Sequence, residues 1–365
     1  MKQLSISTLF AAGLTLITAQ TAIAKDIKVV SSIAPVHSLV SMVMGEQGEN
    51  HLLVSGSSSP HGYYLRPSEM KKIVSSDLVF WIGPNIESFL SKPLNGQMKS
   101  VELNETKGLT LHNIREGGIW AGHDHGSHER HDDHRDHDHA KHDDHDHEKH
   151  DDHKGHDHEK HDDHKHHDHK DHDHEKHDDH KGHDHAKHDD HDHHGASDAH
   201  VWLDPENAIK MVKAISSKLS ETYPDKKAQF EANAEKAIER IEATDRKVAG
   251  LLEGVKSKPY IVFHDAFQYF EKHYGLTGVG SILLRPDEGA SAKRVAELRD
   301  VIEDRGAVCI FREPQFPEKL VKVVSKGSEV RSGTLDPVGS TINPDADLYE
   351  MLIVKIATEM NTCLQ

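Results

Sequence analysis

Imidazole is a preferred ligand for zinc, and this chain of 365 residues carries 36 of them. Twenty-nine lie between His123 and His194, in a low-complexity run that also holds 26 acidic and 11 basic residues. The other seven are His37, His51, His61, His112, His200, His264 and His273, and three of these have settings that suit a ligand. His61 stands in the turn-rich sequence Ser59-Pro60-His61-Gly62. His264 follows the apolar run Tyr260-Ile261-Val262-Phe263, which places it at the C-terminal end of a strand, where open α/β sheets hold ligands. His200 precedes Val201-Trp202-Leu203, where the low-complexity run gives way to ordinary sequence. One histidine from each of three separated segments is the pattern of a chelate assembled by folding. Three such nitrogens with a carboxylate or water complete the zinc tetrahedron. Asp336, in Gly333-Thr334-Leu335-Asp336-Pro337, is the candidate fourth ligand, with a plain turn aspartate as the competing reading. Asp265, beside His264, reads as the N-cap of the following helix rather than as an acceptor for the imidazole. His37, His51, His112 and His273 lie on a helix pattern, in a strand or in polar surroundings, and read as non-ligands.

The elements that must position these residues form an α/β pattern. Strands are expected at 27–33, 52–55 and 77–82, with helices at 36–44 and 67–74; alternation of this kind implies parallel sheets with helical crossovers. Asp204-Pro205-Glu206 is a helix start, with an acid at the N-cap and proline in the first turn. A long amphipathic pattern, Phe230, Ala234, Ile238, Ile241, Val248 and Leu252, runs from 225 to about 254. At 1.5 Å per residue it spans roughly 45 Å, more than one small lobe needs, so it reads as a linker helix. Alternation resumes with strands at 260–263, 280–284, 307–311 and 330–333, and helices at 267–274, 291–305, 317–326 and 346–363. The expected fold is therefore two α/β lobes, each with a mostly parallel sheet flanked by helices, joined by one long helix. Residues 25–224 form the first lobe, 225–255 the linker and 256–365 the second lobe, with a His/Asp-rich insertion at 117–199 in the first. That insertion has almost no apolar residues and is expected to be disordered without metal.

Residues 1–24 read as a secretory signal: Lys2, an apolar core from 9 to 17, and Ala22-Ile23-Ala24 before the cleavage point. An exported chain favours a disulfide between its two cysteines, Cys309 and Cys363. The formal charge of −18 argues against a nucleic-acid partner, and about −15 of it belongs to the His/Asp-rich run. No H-E-x-x-H, nucleophile elbow or phosphate loop is present. A zinc metallohydrolase stays open only because three histidines and a water would also leave a reactive position.

At these residues the chain resembles the periplasmic solute-binding proteins of zinc and manganese ABC importers, the cluster A-I or cluster 9 family, most closely its ZnuA-like zinc branch. The resemblance spans the mature chain. It rests on Pro60-His61-Gly62-Tyr63 with Leu65-Arg66-Pro67-Ser68, Asp77-Leu78-Val79 leading to Gly83-Pro84, and His200-Val201-Trp202-Leu203-Asp204-Pro205. In the second lobe it rests on Phe263-His264-Asp265-Ala266, Glu313-Pro314-Gln315-Phe316 and Gly333-Thr334-Leu335-Asp336-Pro337. It implies that His61, His200 and His264 bind zinc as the transported ligand. Asp336 then matches the acidic ligand of manganese relatives, and Pro60 stands where some zinc-binding members have glutamate. It further implies a monomeric periplasmic receptor, not an enzyme, that serves an inner-membrane permease and its ATPase. A manganese receptor or an adhesin of the same family is the alternative.

Overall fold

The computed structural model describes residues 26–97, 99–115, 120, 197–283, 286 and 289–365. The signal segment and the His/Asp-rich run lie outside the described residues.

The first sheet holds β1 (Ile27–Ser31), β2 (Gly48–Leu52), β3 (Leu78–Trp81) and β4 (Ser100–Glu102) in the order β2-β1-β3-β4, every pair parallel. Helices α1 (Ala34–Met44), α2 (Pro67–Ser75) and α3 (Ser88–Leu94) make the crossovers. The second sheet holds β5 (Tyr260–His264), β6 (Gly278–Leu283), β7 (Cys309–Arg312) and β8 (Arg331–Thr334) in the order β6-β5-β7-β8, again all parallel. Its helices are α6 (Gln268–Tyr274), α7 (Ala292–Asp304), α8 (Lys319–Val324) and α9 (Leu348–Leu364). Between the sheets in sequence come α4 (Pro205–Thr222) and the 26-residue α5 (Lys227–Leu252). The two-sheet α/β architecture expected from the sequence is the one present.

α5 buries Phe230, Ala234, Ala237, Ile241, Thr244, Val248 and Leu252, a stripe stepping by three and four residues, and packs against α4, α1 and α9. It thus serves both halves of the body, since α1 belongs to the first sheet and α9 closes the second. Alternation along β5 divides its side chains between two cores. Tyr260 and Val262 join the large core that includes α5, and Ile261 and Phe263 join a smaller one with Ile282, Leu298, Ile302 and Ile310. His264 continues the parity of Tyr260 and Val262.

Cys309 on β7 and Cys363 in the last turn of α9 form a disulfide, with Cα atoms 6.0 Å apart. The bridge fastens the C-terminal helix to the sheet. Gly333 on the neighbouring β8 leaves room at this junction, because a Cβ there would lie 2.6 Å from the Phe311 ring and 3.3 Å from the Cβ of Cys363.

One local expectation changes, and two elements are present that the sequence did not announce. β2 lies at Gly48–Leu52 rather than 52–55, because an edge strand half open to solvent tolerates Glu49, Asn50 and His51 and gives no apolar run. Leu53 and Val54, which supplied the apolar signal, are buried just beyond it and still donate to the Ser31 and Ser32 carbonyls. α3, with Pro93 inside it, and the three-residue β4 have no sequence signature strong enough to read.

Candidate metal centre

His61 sits in a single 3-10 turn, Pro60–Gly62, beyond the C-terminal end of β2, where Pro60 presets the backbone. The loop is tied to α2: the Tyr63 hydroxyl donates to Glu69 at 2.7 Å and the Arg66 amide donates to the other Glu69 oxygen at 2.8 Å. His200 precedes another 3-10 turn, Val201–Leu203, that leads into α4. Trp202 anchors this turn across the molecule by donating its indole N–H to the Pro337 carbonyl at 2.8 Å. His264 is the last residue of the central strand β5 and is 3% exposed.

Folding brings the three together. One ring nitrogen from each of His61, His200 and His264 lies within 4.8 Å of the others, and the three ring centroids are 5.2–5.6 Å apart. Carboxylates set two of the rings. Asp198 accepts from the His200 backbone N–H at 3.0 Å and from its Nδ1 at 2.7 Å, and Glu313 accepts from His264 Nδ1 at 2.5 Å. A carboxylate facing Nδ1 keeps the proton there and leaves Nε2 as the free electron pair. The two Nε2 atoms accordingly face each other at 3.3 Å. Zinc–nitrogen bonds of about 2.0–2.1 Å at the tetrahedral angle separate two ligands by about 3.3–3.4 Å, so the pair already has the spacing of one tetrahedron edge. Facing lone pairs repel, and a cation between them removes that repulsion.

Burial opposes charge at His264, yet the Glu313 carboxylate outweighs it and raises the imidazole above its ordinary value. Burial likewise opposes ionisation of Asp198, and its bonds with His200 and Gln268 prevail, holding that carboxyl below its usual range. The cavity the three rings share with Trp202, Phe316 and Pro337 is about 10 Å³, room for a single ion or water and not for an organic ligand.

Asp336 is not in this three-residue group. It is 5% exposed, and its carboxylate accepts from Gln315 Nε2, the Val338 and Gly339 amides and the Ser340 hydroxyl, as a turn aspartate does. Asp265 is not a helix cap. Phe267 occupies the cap position of α6 with no side-chain bond, and Asp265 is claimed by Arg115. Arg115 also donates to Glu271 at 2.6 Å and lies 3.7 Å over the Trp120 ring. The four other histidines in the described residues have separate surroundings. His37 contacts the Asn50 carbonyl, His51 contacts Lys72, and His112 packs on Tyr269. His273 bridges Asp204 at 3.3 Å and Asp245 at 2.9 Å; burial lowers its pKa, and the two carboxylates overcome this and push it up to about 9.

Sequence reasoning missed Asp198 and Glu313 as the groups that orient the rings. Asp198 carries a local signal, since it stands two residues before His200; Glu313 is 49 residues from His264, and only the pairing of β5 with β7 brings them together.

The sequence model of the family described as "Zinc-uptake complex component A periplasmic" matches residues 29–363. Among curated relatives, the high-affinity zinc uptake system protein ZnuA of Brucella abortus is 42% identical over 339 residues, covering 92% of this chain and 91% of its own. The protein of the same description from Yersinia pestis is 32% identical over the same shares. Among solved structures, the periplasmic zinc-binding protein TroA from Treponema pallidum shares the fold with a TM-score of 0.63 and 17% identity, over 93% of this chain and 99% of its own.

Proposed function

The chain belongs to the family of periplasmic zinc-uptake components A, and from that premise we propose that it is a zinc receptor rather than an enzyme, capturing Zn2+ between its two sheets and delivering it to an ABC importer. His61, His200 and His264 hold the ion through their imidazole nitrogens. The observation that carries this assignment is the convergence of those nitrogens within 4.8 Å around a void of one-ion size. Zinc is favoured over manganese because the three groups are nitrogens, while the carboxylates nearby face Nδ1 atoms or, at Asp336, turn donors. The partners are the importer's membrane permease and its ATPase, and the receptor acts as a monomer after removal of residues 1–24.

Zinc titration against a competing chelator of nanomolar affinity tests the ligand assignment in the full chain, because the chelator keeps weaker sites unloaded. His61→Ala, His200→Ala and His264→Ala are each expected to abolish the tight equivalent, and near-unchanged titration in two of the three overturns the assignment. The 29 histidines of the 123–194 run are the proposed weaker store, charged and metal-free in acid. Equilibrium dialysis of a chain lacking residues 122–195 tests this, since an unchanged zinc stoichiometry would reduce the run to a spacer.

A further inference from the structure

We propose that Gln315 is a further determinant of metal binding: its side-chain carbonyl accepts a hydrogen bond from the water that fills the fourth coordination position. The inference rests on the three-imidazole reading above. Gln315 lines the same cavity as His61, His200 and His264. Its Nε2 donates to Asp336 Oδ1 at 2.8 Å, and that carboxylate is held in place by the Val338 and Gly339 amides and the Ser340 hydroxyl. A carboxylate can only accept, so the NH2 end of the amide must face Asp336 and the carbonyl end must face away from it. Oε1 is buried and has no hydrogen-bond partner among the described residues. A buried amide oxygen left so is costly, and such an atom in a native fold calls for a partner.

Zinc held by three imidazoles supplies that partner. A coordinated water, or the hydroxide it becomes, keeps at least one O–H to donate, and an amide oxygen can take it in either state. Placement reinforces the argument, because Gln315 follows Glu313 in the short segment after β7, so one stretch of chain orients His264 and presents the acceptor. The arrangement also gives Asp336 a role without ligation: it fixes which end of Gln315 meets the ion's water. Because the acceptor is neutral, it steadies the fourth position without adding a carboxylate ligand that would hinder release.

The test uses the full chain at one equivalent of metal, with zinc affinity read by chelator competition and the coordination sphere read from the visible spectrum of the cobalt(II) form. Gln315→Met keeps the length of the side chain and removes both polar ends. Gln315→Asn keeps the amide and withdraws its carbonyl by one methylene, so a folding failure of one variant leaves the other. Each is expected to lower zinc affinity about tenfold. Each should also move the pH at which the cobalt spectrum reports ionisation of the bound water. Affinity within twofold of the unaltered chain, with an unmoved cobalt titration, overturns the role of Gln315. His264→Ala run in parallel separates the two claims: if it binds zinc as tightly as the unaltered chain, the three-imidazole reading itself falls.

Discussion

The two sheets share one strand order, and each buries a glutamate near the C-terminal ends of its central strands, yet only one of these carboxylates faces a histidine of the proposed metal site. In the first sheet Glu87 accepts from the Ser32 hydroxyl at 2.5 Å and from the Ile82 and Gly83 amides. Burial pushes the Glu87 carboxyl up to about 7, against the lowering effect of those bonds. In the second sheet Glu313 accepts a hydrogen bond from His264 Nδ1 and so turns Nε2 of that ring toward the proposed site. The parallel topology creates a similar corner twice, and the residue at or just past the end of the central strand decides its chemistry. Ser32, one residue beyond β1, makes a closed structural knot, while His264, the last residue of β5, offers one of three proposed ligands. In the proposed site the first sheet contributes instead through the half-buried turn that carries His61.

Substitutions at the two corners test this contrast most strongly. Replacing His264 by alanine removes one of four coordination positions, and a structural zinc site is worth about 10–16 kcal/mol in all, so a loss of zinc affinity of a hundredfold or more is expected. Ser32→Ala, at the matching corner, should leave affinity unchanged in the same chelator competition; a comparable loss would mean the corners are not distinct. The carboxylates come next. Glu313→Gln should weaken zinc by about ten- to a hundredfold through loss of ring orientation, whereas Glu87→Gln should not, and equal titrations would dissolve the distinction between them.

Stability provides smaller effects. Folding raises Glu87 from 4.5 to about 7, so its contribution is complete below pH 4.5 and lost as pH rises through about 7. The unfolding free energy of the metal-free chain, measured in urea, should therefore fall from pH 5 to pH 7.5, by about 3 kcal/mol at most, and Glu87→Gln should flatten that fall. His273 acts in the same direction over a higher window. Its contribution is complete below pH 6.5 and lost as pH rises through about 9. Because its ion pairs are partly solvated, His273→Gln should remove a smaller slope between pH 6.5 and 9. Zinc affinity should move the other way, weakening in acid as the imidazoles protonate. Chemical denaturation across pH, with and without chelator, measures both trends.

How much was legible follows from the kind of signal each residue gives. β5 could be read because a central strand buried on both faces shows as an unbroken apolar run, and His264 at its end inherited its place from that run. α4 was announced by Asp204, whose side chain accepts from the Glu206 amide, and α5 by its apolar stripe. β2 was misplaced because an edge strand needs no apolar run. Asp265 misled for a related reason: an acid between a strand and a helix has the composition of a cap, and the Arg115 that claims it lies 150 residues away in sequence. Glu313 and the Gln315–Asp336 pair depend on strand order and on a turn after β8, and neither leaves a local pattern.

The central claim is that one zinc ion is held by imidazoles from both sheets and from the segment leading into α4. Anomalous diffraction at the zinc edge, from crystals of the full chain grown with one equivalent of zinc, tests it most directly. One strong peak is expected at about 2.0–2.1 Å from a ring nitrogen of each of His61, His200 and His264, with an oxygen in the fourth position. A peak bonded to two or fewer of those histidines, or a principal zinc peak elsewhere in the body, would contradict the claim.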